Sequence, residues 1–432
     1  MDTTLAKSEG VSTAVSRREL ARRLFDRLAE IGGGGIGTTR PSYSALETEA
    51  IEVIADAARE AGLTVGRDPA ANLTIDLIGS DPDAPAVWAG SHLDSVPQGG
   101  NFDGTAGVIA ALLAQIRMKE DGITPKRTVR TIVLRGEESP WFGQCYLGSM
   151  AILGKLTQED LARPHRTDGR TLAQHMADIG IETDRLTAQQ PLVTPAEVAA
   201  FFELHIEQGP VLVARNLPAG VVTGIRGNLR HQNVVCRGEA GHSGAVPRWL
   251  RHDAVLAVAD LLSTMDEHWA ALMERGLDLV MTAGILQTNP DQHAMTRIPG
   301  ECSFSIDVRS QSAETLQAFH HLLHSEARRI GRDRGVVFDF GPHSYSEPAI
   351  MDKILQERLL AQAEALSIPA EAMPSGAGHD ASVFANAGIP AAMVFVRNRN
   401  GSHNPDEHMD LDDFMMASDI MHAAIAQTAA SG

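Results

Sequence analysis

The chain is short of cysteine, of aromatic residues and of positive charge. It holds 3 cysteines in 432 residues, aromatic residues make up 4%, and 37 Lys and Arg stand against 55 Asp and Glu, a formal net charge of −18. Cys145, Cys236 and Cys302 form no CxxC pair and cannot all pair with one another. That excludes a disulfide framework and fits a reducing cytoplasm. So acidic a surface repels phosphate backbones, which argues against nucleic acid as a partner. No apolar run approaches the roughly 18 residues that a membrane span requires. The first residues carry Asp2, Glu9, Glu19 and Asp26 and lack an apolar signal core, so export is not expected. Composition is otherwise ordinary, with 43% apolar and 21% charged residues, which rules out disorder, collagen or coiled coil as the main architecture. At about 150 residues per domain, the length predicts two or three domains.

Histidine, by contrast, is plentiful at 17 residues. The run IGGGGIG at 31–37 contains a GxGxxG spacing, but it follows a helical pattern rather than a strand and reads as a turn, not a phosphate loop. Helical periodicity is predicted over 43–62, 107–119, 145–163 and 170–180, with strands at 73–78, 86–90, 131–135 and 200–206. This alternation points to an α/β layer architecture. After Gly209 the character changes. GVVTGIRGNLRHQNVVCRG reads as a β-hairpin, DAVLAVADLLSTMDEHW and TLQAFHHLLHSEARRI as helices, and LVMTAGIL and CSFSIDVR as strands. That ββαββα-like order suggests a compact α+β insert. The expectation is a catalytic domain with a mixed sheet flanked by helices, formed by 1–212 and 328–432, and an inserted smaller domain at 213–327.

Five short segments carry the chemistry. VWAGSHLDSVPQGGNFDGTAG places His92 and Asp94 just past an apolar strand, two apart and so on one side of an extended backbone, with Asp103 before a helix. VLRGEESPWFG follows a strand with Glu137 and Glu138. FFELHIEQG ends a strand with His205, SGAGHDAS carries His379, and RNGSHNPDEH carries His403. Alone, each segment is weak, since a strand-end histidine is more often a hydrogen-bonded surface residue and paired glutamates are more often a solvated turn. Their shared placement decides the matter. Loops past the carboxyl ends of strands in an α/β sheet converge on one crevice. Histidines and carboxylates brought there without thiolate suit a pair of divalent ions, Zn²⁺ first and Mn²⁺ or Co²⁺ as alternatives. Two such ions need a bridging carboxylate and a bridging water, the equipment of metal-assisted hydrolysis, and an acid left over can take the proton of that water.

GSHLDSVPQGGNFDGTAG, the glutamate pair, ELHIEQGPVL, GHSGAVP, SGAGHDA and NGSHNPDE, in that order, resemble the zinc-dependent carbamoylase branch of the aminoacylase/carboxypeptidase metallohydrolases. Its members include N-carbamoyl-L-amino acid hydrolase, β-ureidopropionase and allantoate amidohydrolase. The matching motifs run from about Thr39-Arg40 to His403. The resemblance implies two metal ions per subunit, His92 and His205 on one, Glu138 and His403 on the other, and Asp103 between them. It makes Asp94 the residue that orients His92, and Glu137 the general base. It makes the insert a dimerisation lid whose His242 polarises the scissile carbonyl across a homodimer. Gln208, Gly378, His379 and Arg309 would hold a small-molecule substrate, Arg309 by a bidentate grip on its carboxylate.

Two positions depart from the family pattern. Thr296 stands where an asparagine usually helps hold the carboxylate, and it is taken as a substrate contact in that residue's place. Trp141 follows the glutamate pair, where it either lines the pocket or packs in the core. The activity implied is hydrolysis of a non-peptide C–N bond of an N-carbamoyl or N-acyl amino acid. The alternatives are an aminoacylase or dipeptidase of the same clan and, from another class, an inactive ligand-binding protein. The presence of Glu137 and all five ligand candidates favours catalysis.

Overall fold

The computed structural model describes residues 9–187 and 190–431; Asp2, used above in reading the N-terminus, lies outside them. The chain divides into two compact units, Met1–Thr223 with Ile350–Gly432, and Gly224–Ala349.

In the first unit the apolar runs become the centre of a mixed sheet. Val129–Leu134, Ala86–His92, Val198–Ile206 and Ala391–Val396 lie side by side and parallel. Antiparallel strands flank them, Leu73–Leu77 on one side and Ala219–Ile225 on the other. Central strands such as Ala391–Val396 are buried along their whole length, as expected of parallel strands covered on both faces. The covering helices include Ala45–Glu60, Thr105–Glu120 and Leu411–Ala430, whose apolar faces join one core with the strands. Because the central strands run the same way, the loops that leave their carboxyl ends gather at one edge of the sheet.

Two buried ionic residues hold those loops. Arg40, fully buried, donates from Nε to the Leu93 carbonyl at 2.6 Å, from Nη1 to the Leu28 carbonyl at 2.9 Å and from Nη2 to Thr105 Oγ1 at 3.0 Å. The loop after His92 is thereby tied to the helix that follows Asp103. Glu47 accepts from Arg135 at 2.5 Å and from the Gly136 amide at 3.0 Å, which anchors the turn leading to Glu137 and Glu138.

The second unit is α+β. Its antiparallel sheet centres on Gly227–Arg237 and Glu301–Ser310. The helices Ala254–Glu274 and Ala313–Arg334 cover one face of it and share its core. Strict alternation of buried and more exposed residues along Glu301–Ser310 is the mark of a sheet with one covered face.

Three sequence expectations need correction. The predicted hairpin does not form: Ala219–Ile225 belongs to the first sheet and Gly227–Arg237 to the second. Only Arg226 separates them, fewer than the two residues that a tight reversal needs, so the chain continues from one sheet into the other. The predicted helix over 145–163 is two short helices, Leu147–Ile152 and Gln158–Leu161, because Gly154 takes φ +65° and Thr157 starts the second with a capping box. The unit boundaries fall at 223/224 and 349/350 rather than 212/213 and 327/328. Ala313–Arg334 runs unbroken on the second core, and Val337–Asp339 and Ser344–Ser346 both pair with Gly227–Arg237, so the segment up to Ala349 stays with that unit.

Candidate active site

The parallel strands deliver their side chains to one cluster in the first unit. His92 ends Ala86–His92, and its Nδ1 lies 3.1 Å from the Asp94 carbonyl. A carbonyl only accepts, so Nδ1 carries the proton and Nε2 presents a lone pair. His205 repeats the arrangement, with Nδ1 2.9 Å from the Ile206 carbonyl and Nε2 accepting from the Gly104 amide at 3.2 Å. Both Nε2 atoms face the same oxygen, Asp103 Oδ1, at 3.4 Å from His92 and 3.1 Å from His205. The other oxygen, Oδ2, faces His403 Nε2 at 3.5 Å, and that nitrogen is 3.8 Å from Glu138 Oε1.

Two sets of ligand atoms follow, His92–Asp103–His205 and Asp103–Glu138–His403, the atoms of each within 4.8 Å of one another. Asp103 belongs to both. Neutral rings would set lone pairs against a carboxylate oxygen, so either protons on Nε2 or a cation must lie among them, and Glu138 Oε1 is buried with no hydrogen-bond partner. The residues therefore fit divalent ions held by nitrogen and oxygen donors. Gly104 permits the approach: it sits at φ +62°, and an added Cβ would lie 2.5 Å from His92 Nε2.

Titration follows the same demand for positive charge. Burial works against protonation of His92, yet Glu137, Asp103 and Asp94 hold it well above its ordinary value. A bond to Asp103 raises His403 to about 9. Burial, reinforced by Asp103, pushes Glu138 up to about 8, and burial with neighbouring Glu138 and Asp380 holds Glu137 well above the usual carboxylate range. Asp103 goes the other way: burial opposes its ionisation, but His205, His403 and His92 pull it well below.

Glu137 stands beside the two sets and belongs to neither, its Oε2 3.9 Å from His92 Nε2. Asp94 sits beneath the cluster. Its carboxylate accepts from the Glu137 and Glu138 amides at 3.1 Å each and from Ser42 Oγ at 2.6 Å. The orienting bond to His92 reaches the Asp94 carbonyl, and the carboxylate is 3.4 Å from the same nitrogen. Gln208, at φ +61°, donates from Nε2 to Asp103 Oδ2 at 2.6 Å, and its Oε1 is buried without a partner. His379 is buried 4.3 Å ring to ring from His205, its Nε2 2.9 Å from Ser375 Oγ. A Cβ on Gly378 would lie 1.8 Å from Tyr146 Oη, so a larger residue there would have to displace that ring.

Three expected residues lie in the second unit. His242 is exposed and accepts the Gly244 amide at 3.1 Å. Thr296 is its neighbour across a short antiparallel pairing, with the Ser243 amide donating to the Thr296 carbonyl at 2.8 Å. Arg309 is on the larger sheet and donates to Asp307 at 2.9 Å. Trp141 is core rather than lining: it is buried, donates to the Ser95 carbonyl at 2.8 Å and stacks on His165.

Sequence reasoning missed Glu407. Buried beneath the cluster, it accepts from the amides of Phe102 and Asp103, and Ser402 Oγ lies between its carboxyl group, at 2.5 Å, and Asp103 Oδ2, at 2.8 Å. Its signal was in view, an acid four residues after His403 in RNGSHNPDEH.

Imidazoles and carboxylates gathered at the carboxyl ends of parallel strands are the donor set of a metal-dependent hydrolase, and relatives of this chain are named amidohydrolases. The chain belongs to peptidase family M20/M25/M40, whose model matches residues 88–427. It is 34% identical to an N-carbamoyl-L-amino acid amidohydrolase of Geobacillus stearothermophilus over 94% of this chain and 98% of that one. It is 32% identical to the allantoate amidohydrolase of Escherichia coli K12, over 87% of this chain and 89% of that one. A solved hydantoinase/carbamoylase family amidase from Burkholderia multivorans superposes with a TM-score of 0.84 at 28% identity, covering 95% of this chain and 98% of the other.

Proposed function

We propose that this amidohydrolase cleaves the C–N bond of an N-carbamoyl amino acid at a two-ion centre. The observation that carries the reading is the division of Asp103 between two ligand sets, one oxygen toward His92 and His205 and the other toward His403. His92 and His205 would hold one ion, Glu138 and His403 the second, and Asp103 would bridge them. When bound, Zn²⁺ (or Mn²⁺ or Co²⁺) supplies Lewis-acid polarisation of the scissile carbonyl and an acidified water. Glu137, next to both sets and spent on neither, accepts the proton of the attacking water and passes it to the leaving nitrogen. Asp94 holds His92 in its tautomer. Gln208, Gly378 and His379 border the space for substrate.

The second unit acts, in this reading, as the dimerisation lid. Arg309 and Thr296 bind the substrate carboxylate, and His242 crosses to the centre of a partner subunit. A reducing, cytoplasmic compartment is supported by the low cysteine content, 3 in 432 residues. Among the described residues no helix is long and apolar enough to cross a membrane.

A hydrolysis screen tests the substrate. Carbamoyl-, formyl- and acyl-amino acids, dipeptides and allantoate are compared, with ammonia and free amino acid read separately. Ammonia and amino acid released together from the carbamoyl compounds are expected; turnover of dipeptides alone overturns the assignment. Chelation should abolish activity, and Zn²⁺, Mn²⁺ or Co²⁺ should restore it, whereas Asp103→Ala should lower metal content and rate together.

A further inference from the structure

We propose that His231, His320 and His324 form a second, separate site for a divalent transition metal, within the second unit. His320 and His324 lie one turn apart on Ala313–Arg334 and share a helix face, and His231 projects from Gly227–Arg237 toward them. One ring nitrogen of each lies within 4.8 Å of the others. His320 Nε2 is 2.9 Å from His231 Nε2 and 3.0 Å from His324 Nε2.

Hydrogen bonding among neutral rings does not satisfy both contacts. His231 Nδ1 lies 2.9 Å from the Phe340 carbonyl, so that nitrogen carries the proton and the neutral ring leaves Nε2 bare. If His320 Nε2 carries a proton, it serves one neighbour fully and not the other. If it carries none, His231 must donate as well and become an imidazolium, and His231 is only 1% exposed. Burying that charge without a counter-ion is costly. A metal ion resolves the conflict, because it takes a lone pair from every ring. Tetrahedral Zn–N bonds of about 2.0–2.1 Å set ligand nitrogens about 3.3 Å apart, so the two close pairs would open by a few tenths of an ångström while the His231–His324 pair, within 4.8 Å, settles about the ion. The bond from His231 Nδ1–H to a backbone carbonyl is the outer contact that ligating histidines commonly make.

Three imidazoles without carboxylate or thiolate select Zn²⁺, Cu²⁺ or Ni²⁺ over Mg²⁺ and Ca²⁺. A fourth ligand would be water or exposed His343, whose ring lies 5.0 Å from that of His320. The ion would pin the helix to the sheet.

The test uses the full chain loaded with Zn²⁺ and freed of excess metal. The His320→Gln/His324→Gln variant should hold about one Zn²⁺ per chain less than the unaltered protein at equal specific activity. Equal zinc content in a folded variant overturns the site. Should the variant fail to fold, zinc-edge anomalous diffraction from Zn²⁺-soaked crystals of the unaltered chain decides. A peak among the three rings is expected, and its absence there overturns the proposal.

Discussion

Glu137 and Glu138 are neighbours in the chain with different surroundings. Glu138 offers a buried, unpartnered oxygen to the set that contains His403, whereas Glu137 points beside both sets. Glu138→Gln is therefore expected to lower metal occupancy measured by elemental analysis. Glu137→Gln should keep its metal and lose about 10²–10⁴-fold in kcat, because an amide takes no proton. Loss of metal in Glu137→Gln with activity restored on resupply would mean that the two roles are exchanged. Arg309 tests recognition of the substrate. Arg309→Lys keeps the charge and loses the planar fork, so kcat/KM should fall for a free carboxylate substrate. An amide-capped substrate turned over equally well would remove the carboxylate grip.

At the scale of elements, the site depends on where strands stop. His92 and His205 stand at the carboxyl ends of strands, Glu137 and Glu138 on one loop and His403 on another, and they meet because the four central strands are parallel. The helix Leu411–Ala430 covers that sheet and carries buried His422, which burial and then Arg117 hold down at about 4. An unfolded chain titrates this ring near 6.5, so between about 6.5 and 4 the unfolded state binds more protons. The stability that the neutral ring contributes is complete above 6.5 and is lost as pH falls through this window, by up to about 3 kcal/mol. Denaturant melts at pH 7, 6 and 5 should show His422→Leu losing less stability with acid than the unaltered chain. Parallel loss in both would assign the acid sensitivity elsewhere. The helices and central strands were legible because they obey simple periods. The break near Gly154 was not, because one residue at positive φ interrupts an otherwise helical composition.

For the whole molecule the sharpest expectation concerns cooperation between subunits. If His242 serves a partner's centre as an oxyanion donor, His242→Ala should cost about 10²–10³-fold in kcat with metal content unchanged. Mixing His242→Ala with Glu137→Gln subunits should then recover activity, since a heterodimer holds one site with both groups intact. No recovery after verified subunit exchange would keep His242 out of the partner's site. By itself the sequence determined the α/β class and the chemistry of the histidines and carboxylates at the strand ends, because strand-end position and residue chemistry are local properties. Only the tertiary structure decided that the two oxygens of Asp103 face different ligand sets, that Glu407 and Arg40 brace the loops from below, and that Ala219–Ile225 and Gly227–Arg237 join different sheets. Those facts depend on contacts between residues far apart in the chain. Local pattern does not encode such contacts, and side-chain packing does.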